Sequence, residues 1–300
     1  MKKQIFLTVL LAAAATLSLN GHAVYAASQP QLLGTIAEGV HFSESVLPYD
    51  GGLLIANYGD IDNVRADTHK GYILYAKDGV TTTVAAADGR LSKPKAMAVK
   101  DHYLFVCDLA DLKIYDLHDR LAAPQIVHFS ENGDKIVNCC ALDGNTLYIT
   151  MTDPGRIYRL DVSHPDQLDG KTAEAWLSVP GANGIAAHGR ELYVVSIPTD
   201  FATVQPENVV YHIADVRKPK LERFYNQAGL YDGVKLSEDG RTLYVTDWKS
   251  ASVLAIDTKT RRATTVYQRD SLSPADIGYD AGTLYLPDLL HNQILELAVR

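Results

Sequence analysis

Asn183-Gly184-Ile185-Ala186-Ala187-His188-Gly189-Arg190-Glu191-Leu192-Tyr193-Val194-Val195-Ser196 is one copy of a unit that recurs along the chain. Gly184 to Ala187 is a short apolar run, and His188 to Glu191 is a polar turn with a glycine. Leu192 to Val195 is rich in the β-branched and aromatic residues that suit a pleated surface. The unit reads as strand, tight turn, strand.

Placing the second strand of each copy on its leading leucine gives Leu53, Leu104, Leu147, Leu192, Leu243 and Leu284, at separations of 51, 43, 45, 51 and 41 residues. That period is propeller-like. The expected fold is therefore all-β, a six-bladed β-propeller of four-stranded antiparallel blades. The last copy ends at Leu297 to Arg300, its third strand, with nothing left to supply a fourth. Gln31 to Glu38 reads as a lone strand ahead of the first copy. Leu32 to Ile36 is thus the expected closing strand, since an N-terminal strand paired with the last blade removes an open edge.

The first strand of a propeller blade lines the central channel, so equivalent residues at its start form a ring. Nine residues before the first four leucine anchors stand Glu44, Lys95, Asn138 and Asn183. The fifth copy has a turn two residues longer, Ser237 to Thr242, and eleven before Leu243 is Asp232; in the sixth, nine before Leu284 is Ala275. Glu44, Asn138, Asn183 and Asp232 thus put two carboxylates and two amide oxygens on one axis. Such a set suits a hard cation, calcium first because it tolerates irregular oxygen geometry, with another divalent cation as the alternative. The competing reading is that each is a turn residue, because Asn-Gly and Asp-Gly are ordinary loop signals.

With these residues in place the chain resembles the calcium-dependent six-bladed propeller hydrolases. These are the regucalcin/gluconolactonase family and, more distantly, diisopropyl-fluorophosphatase and the paraoxonases. Glu44 stands where the family has its first-blade Glu, Asn138 matches the third-blade Asn, and Asn183-Gly184-Ile185-Ala186 resembles the family's Asn-Gly-Leu-Ala. Asp232-Gly233 resembles its Asp-Gly. The neighbours depart: Glu44-Ser45-Val46 replaces Glu-Gly-Pro, Tyr231-Asp232-Gly233 replaces Pro-Asp-Gly, and Asn138-Cys139-Cys140 replaces Asn-Asp-Gly. Ile136 stands where regucalcin-type enzymes tend to place a substrate-binding Arg, which argues against a sugar-acid lactone. The resemblance implies a hydrolase acting on a small-molecule lactone or ester, with Asp232 activating water or attacking directly.

The opposing hypothesis is a non-catalytic propeller that binds a protein, glycan or small ligand on the same face. It is favoured by Lys95, the ring member of the second copy, whose ammonium can take a cation's place beside Glu44. Lys95, Tyr58 and Trp248 are the expected substrate contacts, although an aromatic at Trp248 packs between blades equally well.

Two long polar stretches, Tyr58 to Lys70 and Thr199 to Asn208, account for the two 51-residue separations. Both belong on the face of the ring, where they either wall one cleft or are tolerated surface insertions. Asp108, Asp153, Asp247 and Asp288, at the shorter connections, read as turn formers. Cys107, Cys139 and Cys140 leave two readings open, a disulfide between neighbouring blades or buried free thiols.

Residues 1 to 26 carry Lys2 and Lys3, an apolar core from Ile5 to Leu17, and Val24-Tyr25-Ala26 at a small-residue cleavage site. This reads as a secretory signal peptide, too short for a membrane span, so the expected protein is exported to the periplasm or secreted. The rest, 27–300, is expected to form one domain. Net charge goes from −8 to −10 as Lys2 and Lys3 leave, and an acidic surface argues against nucleic acid as a partner.

Overall fold

The computed structural model describes residues 30–130 and 136–299. The signal peptide expected at 1–26 lies outside those residues.

β1 (Gln31–Ile36) stands ahead of the first blade, which is β2 (Ser43–Tyr49), β3 (Gly52–Asn57), β4 (Tyr72–Lys77) and β5 (Val80–Ala85). Next come β6 (Pro94–Lys100), β7 (Tyr103–Asp108), β8 (Asp111–Asp116) and β9 (Gln125–Phe129). They are followed by β10 (Val137–Asp143), β11 (Thr146–Met151), β12 (Arg156–Asp161) and β13 (Thr172–Ser178). β14 (Ala182–His188), β15 (Glu191–Ser196), β16 (Val210–Ile213) and β17 (Glu222–Tyr225) form another set. Then follow β18 (Tyr231–Leu236), β19 (Thr242–Asp247), β20 (Ser252–Asp257) and β21 (Ala263–Gln268). The chain ends in β22 (Gly278–Asp280), β23 (Thr283–Asp288) and β24 (Gln293–Ala298).

Each set is an antiparallel meander in sequence order. β13 and β9 also touch in a short parallel pairing, Thr172 with His128 and Ala173 with Phe129, which joins two meanders into one eight-stranded sheet. β1 pairs antiparallel with β24, so the last sheet runs β1, β24, β23, β22, and the N-terminal strand supplies the expected fourth strand. The first strands lie side by side in a closed circuit: β2 by β6, β6 by β10, β10 by β14, β14 by β18, β18 by β22, and β22 by β2.

The second strand of each blade is buried on both faces, which is why it reads as an unbroken apolar run. In β7, Leu104 and Val106 pack with Leu54, Ala56 and Ile73 of the preceding blade. Phe105 and Cys107, on the other face, pack with Leu147 and Ile149 of the following one. The leucine anchors sit in these seams; Leu104, Leu147, Leu192, Leu243 and Leu284 are fully buried. Truncating one such leucine to alanine costs about 2–5 kcal/mol. No helix among the described residues is long and apolar enough to cross a membrane.

In four copies the residue four beyond the anchor accepts a backbone N–H near the start of the same blade's first strand. Asn57 Oδ1 accepts His41 N–H at 3.0 Å, Asp108 accepts Ser92 and Lys93 N–H, Asp247 accepts Leu230 N–H, and Asp288 accepts Ser273 N–H. The aspartates read as turn formers are thus caps on the strand that carries the ring. Asp153 differs, as its carboxylate faces Arg65 at 3.4 Å.

Cys107, Cys139 and Cys140 are buried free thiols, the second of the two readings. Burial, with Cys140 close by, pushes the Cys107 thiol well above its ordinary range.

Candidate functional site

Pairing between the first and second strands slips at one place in five blades. The register shifts fall between Ser43 and Ser45, Pro94 and Met97, Val137 and Cys140, Ala182 and Ile185, and Tyr231 and Val234. Each interval contains the predicted ring residue. A β-bulge leaves a residue out of the ladder and re-aims its side chain, and bulges recur beside functional sites for that reason. Two bulges are braced by a threonine of the second strand. Thr150 Oγ accepts Cys139 N–H at 3.0 Å and reaches the Asn183 carbonyl of the next blade. Thr246 Oγ accepts Gly233 N–H at 2.7 Å and donates to the Ala275 carbonyl at 3.0 Å.

The glycines of the Asn-Gly and Asp-Gly pairs are required by close approach rather than by turns. A Cβ on Gly184 would meet the Asp232 carbonyl, and one on Gly233 would sit 2.6 Å from Ile277 N and 2.8 Å from Asp276 Cα.

Glu44, Lys95, Asn138, Asn183 and Asp232 are all buried, none more than 7% exposed. Glu44, Lys95, Asn183 and Asp232 act on one another. Burial, then the Asp232 carboxylate, holds Glu44 well above the carboxylate range. Burial also pushes Asp232 up to about 7, against the opposing pull of the Trp248 indole N–H, which donates to Asp232 Oδ2 at 2.8 Å, and of the Asn183 side chain. Lys95 is pulled down by burial, with Glu44 the main opposing influence. Asn138 is buried at the matching bulge of β10.

Lys95 does not pair with Glu44. Its ammonium donates to the Lys93 carbonyl at 3.3 Å and lies 5.4 Å from the centre of the Tyr58 ring, while Lys93 lies over the same ring at 5.2 Å. Two oxygens of the ring, Glu44 Oε2 and Asn183 Oδ1, are buried without a hydrogen-bond partner. Leaving such a group unpaired costs about 1–3 kcal/mol, more if charged. Both are the oxygen donors a hard cation takes, so the donor set fits a calcium-class ion.

Asp276, one residue beyond the expected position Ala275, is a further channel carboxylate. It is fully satisfied, accepting Ser45 Oγ–H at 2.9 Å, Ile277 N–H at 2.9 Å and the Lys235 ammonium at 3.4 Å. Burial is the largest influence on Lys235 and depresses it, but the Asp276 carboxylate together with Cys139 and Cys140 leaves the ammonium above its ordinary range. The backbone N–H of Asp276 donates to the Glu44 carbonyl at 2.8 Å, tying the last blade to the first behind the ring. The satisfied Asp276 and the orphaned Glu44 Oε2 separate the two carboxylate roles.

The two long segments touch each other at Arg65. Arg65 of the 58–70 segment donates to the Thr199 carbonyl at 3.0 Å, faces Asp153 at 3.4 Å, and lies 5.8 Å from the centre of the Phe201 ring. Tyr58 and Trp248 share an apolar patch with Ala275 and Leu289 beside the ring. Of the expected substrate contacts, Trp248 orients Asp232, and Tyr58 is buried against the two lysines.

No protein-family model matches the chain, and no curated protein matches it. Solved structures do. A gluconolactonase from Xanthomonas campestris superposes with a TM-score of 0.65 at 15% identity, covering 94% of this chain and 99% of that one. The chain has the β-propeller fold. Virginiamycin B lyase from Staphylococcus aureus gives 0.60 at 14% identity over 86% of this propeller and 80% of that chain. A protein of unknown function from Bacteroides thetaiotaomicron gives 0.60 at 16% identity, over 91% and 73%. At such identities the likeness speaks for the propeller alone.

Proposed function

We propose that this is a six-bladed propeller, counting the joined meanders as two blades, and an exported hydrolase of lactones or esters. It depends on a divalent cation, calcium first, held by Glu44, Asn138, Asn183 and Asp232. The observation that carries the reading is the pair of orphaned buried oxygens, Glu44 Oε2 and Asn183 Oδ1, beside an Asp232 carboxyl pushed up to about 7. The gluconolactonase likeness agrees with it.

A bound divalent cation supplies a Lewis acid for a carbonyl oxygen. Asp232 is the proton-handling group: Trp248 fixes its Oδ2, and its carboxylate takes a proton from an attacking water and passes it to the leaving alkoxide. Lys93, Lys95 and Tyr58 form a cationic and aromatic wall next to it.

The test is a panel of lactones and aryl esters assayed with calcium and after chelation, on wild type and Asp232→Asn. Turnover that needs the cation and falls at least about 100-fold in the variant supports the hydrolase, the scale expected for loss of general acid–base catalysis. A second reading, a binding propeller, is favoured by the burial of every ring residue. Calcium binding without turnover across the panel would select it.

A further inference from the structure

At the far end of the β6–β9 blade, roughly 20 Å along β6 from Lys95, three metal-binding side chains meet. His102 lies in the turn between β6 and β7, and the N–H of Leu117 donates to its carbonyl at 2.8 Å. This clamp holds the end of β8 against the turn and brings His102, Asp116 and His118 together. One ligand atom from each lies within 4.8 Å of the other two.

His102 Nε2 is 3.8 Å from Asp116 Oδ1, too far for a hydrogen bond. It is near the span of two ligands on one ion, given metal–ligand bonds of about 2.0–2.2 Å each. Asp116 Oδ1 also accepts the backbone N–H of His118 at 2.8 Å, which fixes the carboxylate and the root of that histidine. The two imidazoles lie face to face, 4.3 Å between centroids and 6° between planes. The Tyr103 ring also lies against His102, 4.3 Å between centroids and tilted by 37°. Lone pairs of parallel rings run side by side, so one ring must turn for both to reach a single ion. His118 is the exposed one, and His102 is held by the tyrosine.

We propose that His102, Asp116 and His118 form a surface site for a borderline transition-metal ion such as zinc, nickel or copper. Two imidazoles and one carboxylate are its ligands, and the remaining positions stay open to water or an outside ligand. Imidazole nitrogen selects this class of metal and disfavours calcium, so the site is chemically distinct from the oxygen-lined ring.

The test is calorimetric titration of zinc chloride into tag-free, chelator-treated protein: wild type, His102→Ala, His118→Ala and Asp232→Asn. One zinc per chain should bind in wild type and in Asp232→Asn, and at least tenfold more weakly in each histidine variant. A parallel cobalt titration should give a visible ligand-field band that both histidine variants lose. The metal-free histidine variants should melt where wild type melts, since neither side chain is in the core. Zinc affinity unchanged in both histidine variants, or no zinc binding in wild type, would overturn the site.

Discussion

Asp232 is held by the Trp248 indole at 2.8 Å and is pushed by burial up to about 7, from an ordinary value of 3.8. With divalent cations chelated, the folded protein keeps this proton over a range in which the unfolded chain has released it. The stabilisation is complete below the unfolded value and is lost as pH rises through the folded one, so the chelated protein should lose stability between about pH 4 and 7. Glu44, raised for the same reasons, works in the same direction. Thermal melts in chelator across that range check it, and Asp232→Asn should flatten the slope; an unchanged melting temperature from pH 4 to 7 in wild type would contradict the burial of these acids. The ring acids were legible from the leucine anchors: Glu44 stands nine residues before its leucine, and Asp232 eleven before, displaced by a turn two residues longer. Asp276 was not, because β22 begins pairing only at Gly278, and the residues before it leave the offset that the other copies share.

The bulge is the element that turns a strand into a site. Nothing in residue type announces it: Lys95, Asn138 and Asp232 stand at three of the register shifts and have no side-chain chemistry in common. What was legible was the apolar run of the second strand, because burial on both faces demands it. Polar pairing across the channel face was not, since Arg65, Asp153 and Thr199 lie in loops far apart in sequence and have no periodicity to read. Thr246 tests the bracing of the bulge. Thr246→Val leaves the buried Gly233 N–H without its acceptor and should cost about 1–3 kcal/mol, read from urea unfolding. A loss under about 0.5 kcal/mol would mean the bulge holds without its brace.

At the scale of the molecule, closure depends on one short strand. β1 covers β24 and leaves Leu32 and Leu33 about half exposed on the outer edge, so its contribution is mostly backbone pairing that completes the last sheet. Removing residues 31–36 should lower the melting temperature sharply, and an unchanged melt would show that closure does not need it. The circuit of first strands then explains why residues from distant copies meet: β2, β14 and β18 bring Glu44, Asn183 and Asp232 within reach of one another. The most direct measurement is calorimetric titration of calcium into chelator-treated wild type and Glu44→Gln. The account predicts one calcium site per chain, weakened at least tenfold in the variant, with wild type stabilised by about 2.7 kcal/mol at a hundredfold excess over the dissociation constant. Heats equal to dilution, together with the same melting temperature in calcium and in chelator, would contradict it.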